Sequence, residues 1–294
     1  MARYQLIATP AAGLGTGRAV ADRAAGWFRR RNASYDLEFT SGPDHAAELA
    51  RRAAASGRTV VVIGGDGTVH EALPGMVHTG APLGIIPAGS GNDLIRSLDL
   101  PSDTERSVDI ILAGRTSVID CGKINGIPFV NVVGIGFDAA VNHASHDIGW
   151  PAGGKLRYVT ALVRTLGSYD PVRLRVTLDG ESREEDLFLL TIGNGTSCGG
   201  GFRLTPHARL DDGVLDVTAV RPIGVLPLLW HLPKVFRGTL ERAERYASMT
   251  TARKIRVESS GRVPVHMDGE IYRGDTTTME IDVLPKALTV VGKF

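Results

Sequence analysis

Over the first 120 residues, short apolar runs alternate with stretches whose hydrophobic residues recur at helical spacing. Tyr4–Ala8, Tyr35–Phe39, Thr59–Ile63 and Leu83–Ile86 read as strands, and the stretches near Arg18–Arg31, Asp44–Ala55, Val69–Val77 and Asp93–Leu98 read as helices. Strands separated in this way imply a parallel sheet covered on both faces, with ligands at the loops that leave the strand carboxyl ends. From Thr116 onward the pattern changes to short strands with hairpin signals at Asn125-Gly126 and Asp179-Gly180. Helices near Leu156–Leu166 and Leu226–Phe236 interrupt them. The pattern therefore predicts an α/β plus β protein: a parallel-sheet domain over residues 1–118 and a mainly antiparallel β domain over 119–286. A last strand in 287–294 can return to either. No internal repeat or low-complexity linker is visible.

Composition adds one positive clue and several exclusions. The 294 residues include 36 glycines, where average usage would give about 20. They follow no three-residue period, which excludes collagen, and 43% hydrophobic residues argue against disorder. Lys plus Arg is 33 against 32 for Asp plus Glu, a net charge of +1, so no general field draws the protein to nucleic acid. Cys121 and Cys198 form neither a metal spacing nor a disulfide framework, and the start MARYQLIATP lacks the apolar core of a signal peptide. A cytoplasmic location is the expectation. The most apolar window, Val220 to Leu232, contains Pro222, Pro227 and His231 and falls short of the ~20 residues that cross a bilayer.

The glycines collect at three successive strand ends. The first loop, Thr9-Pro10-Ala11-Ala12-Gly13-Leu14-Gly15-Thr16-Gly17, offers bare amides to a phosphate, but it lacks the lysine of a Walker A loop. Arg18 takes the place of the third glycine of a dinucleotide motif. A flexible turn accounts for this loop nearly as well. The second runs from Val60-Val61-Val62-Ile63 into Gly64-Gly65-Asp66-Gly67-Thr68, with Val69, His70 and Glu71 opening a helix. Here Thr68 can cap the helix and touch phosphate, and Asp66 can hold Mg²⁺ directly or through water. The alternative is an Asp-Gly turn. The third, Pro87-Ala88-Gly89-Ser90-Gly91-Asn92-Asp93, again lies between an apolar strand and a helix.

With these motifs the chain resembles the diacylglycerol-kinase catalytic superfamily, and within it the soluble bacterial lipid kinases related to sphingosine and ceramide kinases. The carriers are Gly64 to Thr68 with Glu71, Pro87 to Leu94, and Gly134-Ile135-Gly136-Phe137-Asp138. Later come Gly199-Gly200-Gly201 with Pro206, Asp211-Asp212-Gly213, and Asp268-Gly269-Glu270. The resemblance covers nearly the whole chain and implies a β-sandwich for the second domain. It also implies an ATP- and Mg²⁺-dependent lipid kinase, with the free hydroxyl of diacylglycerol as the leading acceptor and phosphatidic acid as product. ATP would lie across the first domain, with Gly64, Gly65, Asp66, Gly67, Thr68, Val69, His70 and Glu71 around its phosphates, together with Gly89, Ser90, Asn92 and Asp93. Thr40 matches a position after the second strand. Thr9 and Gly13 belong to the first loop, although Thr9 stands where the family has asparagine, which weakens an adenine or ribose role.

The resemblance further implies a structural Mg²⁺ loop held by the Asp212 side chain and the backbone of Arg209 and Val214; a plain Asp-Gly hairpin is the alternative. It makes Glu270 the proton acceptor, with Asp268 and Asp66 ordering a metal and water network, although spacing does not tell which carboxylate takes the proton. An ordinary hairpin turn is again the simpler account. Gly134 to Ala139 also fits G-x-G-x-x-A, yet no Asp or Glu lies between Asp147 and Asp170 to bind a ribose, which disfavours an NAD- or FAD-dependent oxidoreductase. An NAD-kinase-like enzyme and a catalytically silent lipid- or nucleotide-binding regulator are the remaining alternatives. A lipid acceptor implies peripheral membrane contact. The candidate segments are Leu226 to Arg237 and Trp27 to Arg31, each also readable as a core-packed helix, and Gly153 to Tyr158 can border the acceptor cleft. A homodimer is expected by resemblance alone.

Overall fold

Strands that are apolar on both faces need cover on both. Tyr4–Ala8 and Leu83–Pro87 are buried at every position, and Thr59–Gly64 at all but its first. They run parallel in the order Tyr35–Phe39, Tyr4–Ala8, Thr59–Gly64, Leu83–Pro87, with Tyr4 opposite both Tyr35 and Thr59 and Val60 opposite Leu83. The edge strand Tyr35–Phe39 carries Asp36 and Glu38, charges that discourage further pairing. The chain leaves Tyr4–Ala8 to one side and returns to the other, so the order reverses between Tyr4–Ala8 and Thr59–Gly64. Ligand crevices open at such reversals, outside the strand carboxyl ends.

These elements belong to the first of two units in the computed structural model, which describes residues 3–147 and 154–292. That unit comprises Met1–Cys121 with Pro285–Phe294, and the second comprises Gly122–Leu284. In the first, the helix Gly17–Arg30 turns Val20, Ala21, Ala24, Ala25 and Phe28 inward. Phe28 is wholly buried, edge-on to Tyr4 at 5.2 Å and to Tyr35 at 5.7 Å.

The second unit is a β-sandwich with helices on one side. Its six-stranded antiparallel sheet runs Ala247–Ala252, Leu215–Val220, Leu189–Gly193, Val132–Gly136, Val265–Met267, Glu270–Ile271. Val133, Ile135, Leu190, Ile192, Leu215 and Val217 from this sheet meet Leu174, Val176, Ile255, Val257, Met279 and Ile281 from the antiparallel strands Val172–Leu178, Lys254–Ser259 and Thr278–Val291. On its other face Phe137, Val141, Ala161, Leu162 and Val235 come from the helices Phe137–Asp147, Gly154–Leu166 and Val225–Arg237. Three hairpins turn on a left-handed Asx-Gly pair, at Asn125-Gly126, Asp179-Gly180 and Asp268-Gly269. The Gly153 end of the segment proposed to border the acceptor lies outside the described residues.

The last strand is longer than its sequence suggests. It spans Thr278–Val291, pairing antiparallel from Lys254 opposite Asp282 to Glu258 opposite Thr278 in the second unit. Farther on, Val290 lies parallel to Leu83 in the first unit. Pro285-Lys286 reads as a stop, and Lys286 indeed has a positive φ of 51°, but the strand continues past it. Truncating Phe28 to Ala should cost about 3–5 kcal/mol of unfolding free energy in urea titration, as for a wholly buried aromatic; a loss under about 1 kcal/mol would show that this packing does not support the unit.

Candidate functional site

In the first unit the three glycine loops meet at the carboxyl ends of the strands. Thr9 N donates to Ile63 O at 3.3 Å and Ala88 N to Gly64 O at 2.8 Å. A Cβ on Gly13 would overlap Ala88 O, and one on Gly89 would crowd Gly65. Part of the reason for these glycines is therefore the approach of loop to loop. Thr40 donates its hydroxyl to Thr9 Oγ1 at 3.1 Å, placing both beside the crevice.

Asp66 opens the helix Asp66–Ala72, whose N-cap Gly65 has no side chain to cap it. The Asp66 carboxylate faces the third loop instead. Its Oδ2 accepts from Asp93 N and its Oδ1 from Leu94 N, both at 3.1 Å. These amides begin the short helix Asp93–Ser97, where intrahelical acceptors are missing. Asp66 thus caps a helix far along the chain and fixes the Gly89-Ser90-Gly91-Asn92 turn. Asn92 sits at φ 53° and donates Nδ2 to Gly89 O at 3.0 Å, while its buried Oδ1 has no protein partner.

The other residues of these loops divide by role. Glu71 Oε1 accepts from Ala46 N at 3.2 Å, at the start of the helix His45–Ala55, and Val69 is core. Thr68 is buried against Gly64, and the buried Asp93 pairs with Arg96 at 2.6 Å. Ser90 is exposed, and Gly65, Gly67 and His70 are half-buried. Bare glycine amides and an exposed hydroxyl suit a nucleotide polyphosphate. As a hard oxygen donor, the Asp66 carboxylate suits the hydration shell of Mg²⁺.

In the second unit Asp268 is buried at the turn into Glu270, at φ 52°. Its Oδ1 accepts from Asn131 N at 2.8 Å and Val132 N at 3.1 Å, and its Oδ2 from Val130 N at 3.0 Å. Asn142 Nδ2 donates to Gly269 O at 2.7 Å and pins the same turn. Asn131 Nδ2 reaches Ser197 O and Asn194 Nδ2 reaches Val130 O, both at 2.8 Å, tying in the loop after Leu189–Gly193. Glu270, by contrast, is exposed. Sequence reasoning missed Asn131, Asn142 and Asn194. Asn131 and Asn194 had a signal, each standing alone beside an apolar strand run.

Gly134 and Gly136 lie in Val132–Gly136, whose neighbours Leu189–Gly193 and Val265–Met267 run antiparallel. A dinucleotide fingerprint needs a parallel βαβ frame. A Cβ on Gly134 would overlap Asp138 Oδ2 and His266 Nε2, a buried pair 3.5 Å apart, so this glycine makes room for a polar contact. Burial, with Asp138 nearby, pushes the Tyr169 phenol up.

At the expected Mg²⁺ loop, Val214 N donates to the exposed Asp212 Oδ1 at 3.2 Å, and Arg209 pairs with Asp211 at 3.5 Å. Sequence reasoning overlooked Asp216 there, a half-buried acid between buried Leu215 and Val217. Burial, and then the Asp212 charge, push its carboxyl up to about 6. An oxygen donor set beside a second carboxylate suits a hard cation. An unfolded Asp titrates near 3.9, so the fold disfavours the charged form of Asp216 above about pH 6, and this penalty fades as pH falls toward about 4. In metal-free buffer, Asp216→Asn should raise the Tm at about pH 7.5 and leave it unchanged at about pH 4; a lowered Tm at neutral pH would contradict this.

The two halves of this arrangement correspond to two known domains. Residues 3–124 match the diacylglycerol kinase catalytic domain and residues 131–292 the YegS C-terminal NAD kinase beta sandwich-like domain. A diacylglycerol kinase of Mycobacterium tuberculosis is 35% identical, covering 97% of this chain and 93% of that protein. A probable lipid kinase YegS-like protein of Chromohalobacter salexigens is 30% identical over 84% of this chain and 81% of its own. The crystal structure of a diacylglycerol kinase from Bacillus anthracis shares the fold, with a TM-score of 0.81 at 24% identity, covering 99% of this chain and 97% of that one. The joined glycine loops fall in the first of these domains and the Asp268 turn in the second, and with relatives alike along nearly their whole length the chain belongs to the diacylglycerol kinase family of lipid kinases.

Proposed function

We propose that the protein transfers the γ-phosphoryl group of ATP to the free hydroxyl of diacylglycerol, giving phosphatidic acid and ADP, and that it requires Mg²⁺. The observation that carries this reading is the joining of three glycine loops, clamped by Asp66, at the reversal of strand order. The choice of acceptor is supported by the diacylglycerol kinase at 35% identity.

Phosphoryl transfer depends mainly on positioning and charge stabilisation. The amides of Gly64, Gly65 and Gly67 and the Ser90 hydroxyl bind and orient the phosphates, and the hydrogen-bonded pair Thr9 and Thr40 borders the nucleotide. Asp66 would hold the hydration shell of a Mg²⁺ ion, which would supply charge neutralisation at the phosphates, and Asp212 with the Arg209 and Val214 carbonyls would hold a structural ion. At the acceptor, Glu270 takes the hydroxyl proton as the lipid oxygen bonds to the γ-phosphorus and the bond to the bridging oxygen breaks, leaving ADP. Asp268 suits this poorly, because three backbone N–H groups already bind its carboxylate. The acceptor resides in a bilayer, so the enzyme works at a membrane surface. Among the described residues no helix is long and apolar enough to cross one.

Labelled ATP offered with diacylglycerol, monoacylglycerol, a sphingoid base, ceramide, phosphatidylinositol and NAD tests the reading. Label should enter phosphatidic acid, and only with Mg²⁺; label in NAD alone, or in no lipid, would reject it. In the same assay Glu270→Gln should bind ATP and melt as the wild type does while turnover falls about 10²–10⁴-fold. An unchanged rate would remove Glu270 from the chemistry.

A further inference from the structure

The helix Val225–Arg237 is apolar on two faces. Leu228, Leu232 and Val235 pack into the second unit. Leu226 and Trp230, one turn apart on the opposite side, are 80% and 79% exposed, with Leu229 beside them at 49%. Leaving such residues in water is unfavourable, and three of them contiguous on one helix form a patch that calls for a partner. Trp27 offers no comparable surface: it is half-buried against the first unit's core, and the guanidinium groups of Arg30 and Arg31 stack on its ring at 4.6 and 4.8 Å.

Charge identifies the partner. Beside the patch opens a groove of about 740 Å³ lined by Leu226, Pro227, Trp230, Arg242, Arg245 and Tyr246, among others. Lys234 and Arg237 fall in the last turn of the helix. Residues 224–246 carry these four cations and two acids, Glu241 and Glu244, the latter also lining the groove, an excess of two positive charges in a chain whose net charge is +1. A tryptophan and leucines framed by exposed arginines match the acyl and phosphate layers of a bilayer. A two-fold contact with a second copy would instead set the patch, and with it the arginines, against itself.

We propose that this face docks on an anionic phospholipid bilayer, with Leu226, Leu229 and Trp230 entering the acyl boundary and Arg242 and Arg245 meeting lipid phosphates. The inference rests on the lipid-kinase reading for its purpose, but binding can be measured without turnover. Full-length protein should co-sediment with vesicles of mixed phosphatidylglycerol and phosphatidylcholine, and at least about tenfold less with phosphatidylcholine alone. Brominated acyl chains should quench its fluorescence, and Trp230→Phe should abolish that quenching. The double variant Leu226→Gln, Trp230→Gln should lose at least about tenfold in vesicle binding. It should keep wild-type turnover of a short-chain, water-dispersed diacylglycerol. Docking without phosphorylation of any lipid would reject the kinase reading and leave the docking face standing. Wild-type vesicle binding by the double variant would overturn the proposal, as would a wild-type dimer that this variant converts to monomer without change in vesicle binding.

Discussion

Backbone N–H groups in a buried loop need acceptors, and in this protein aspartate carboxylates supply them at the points where distant segments meet. Asp66 takes two amides of the Asp93 turn, and Asp268 takes three from Val130 to Val132. Asp120 accepts from Lys286 N at 2.7 Å, and Asp179 from Arg253 N and Lys254 N. Charge-assisted bonds of this kind are roughly twice as strong as neutral ones, and leaving a buried N–H without its acceptor costs about 1–3 kcal/mol. Asp66 and Asp268, whose amide partners belong to buried residues, therefore commit their loops to one conformation.

That commitment separates the groups that hold these turns from those they leave exposed. Ser90 is exposed on a turn whose following residues are gripped by Asp66, and Glu270 is exposed on a turn gripped by Asp268 and Asn142. Ser90 lies in a loop and Glu270 opens the two-residue strand Glu270–Ile271, yet neither segment is left to find its own shape. Positioning of this kind is what a phosphoryl-transfer enzyme requires, because a small misplacement of reacting atoms is expensive in rate.

Local signals were legible in the sequence and long-range ones were not. The βα alternation, the Asx-Gly hairpins and the three glycine loops each announce themselves within a few residues. Asp66 reads locally as a phosphate-loop acid; that it reaches Asp93 and Leu94 depends on which strands become neighbours. The same is true of Asp268, whose partners lie more than 130 positions away. Asp216 was hidden by ordinary strand alternation, because only the fold brings it beside Asp212 and half-buries it. The strand Thr278–Val291 starts well before the 287–294 that the sequence pattern indicates, because the pairing on either side of Pro285 overrides that residue's local preference.

Amide hydrogen exchange of Asp268→Asn in comparison with the wild type tests the clamp most directly. An amide side chain cannot accept at both positions, so the amides of Val130, Asn131 and Val132 should lose protection by about tenfold or more, while the strand Thr59–Gly64 exchanges as before. Unchanged protection at Val130 to Val132 would show that the carboxylate does not hold this loop, and that the site's geometry has another source.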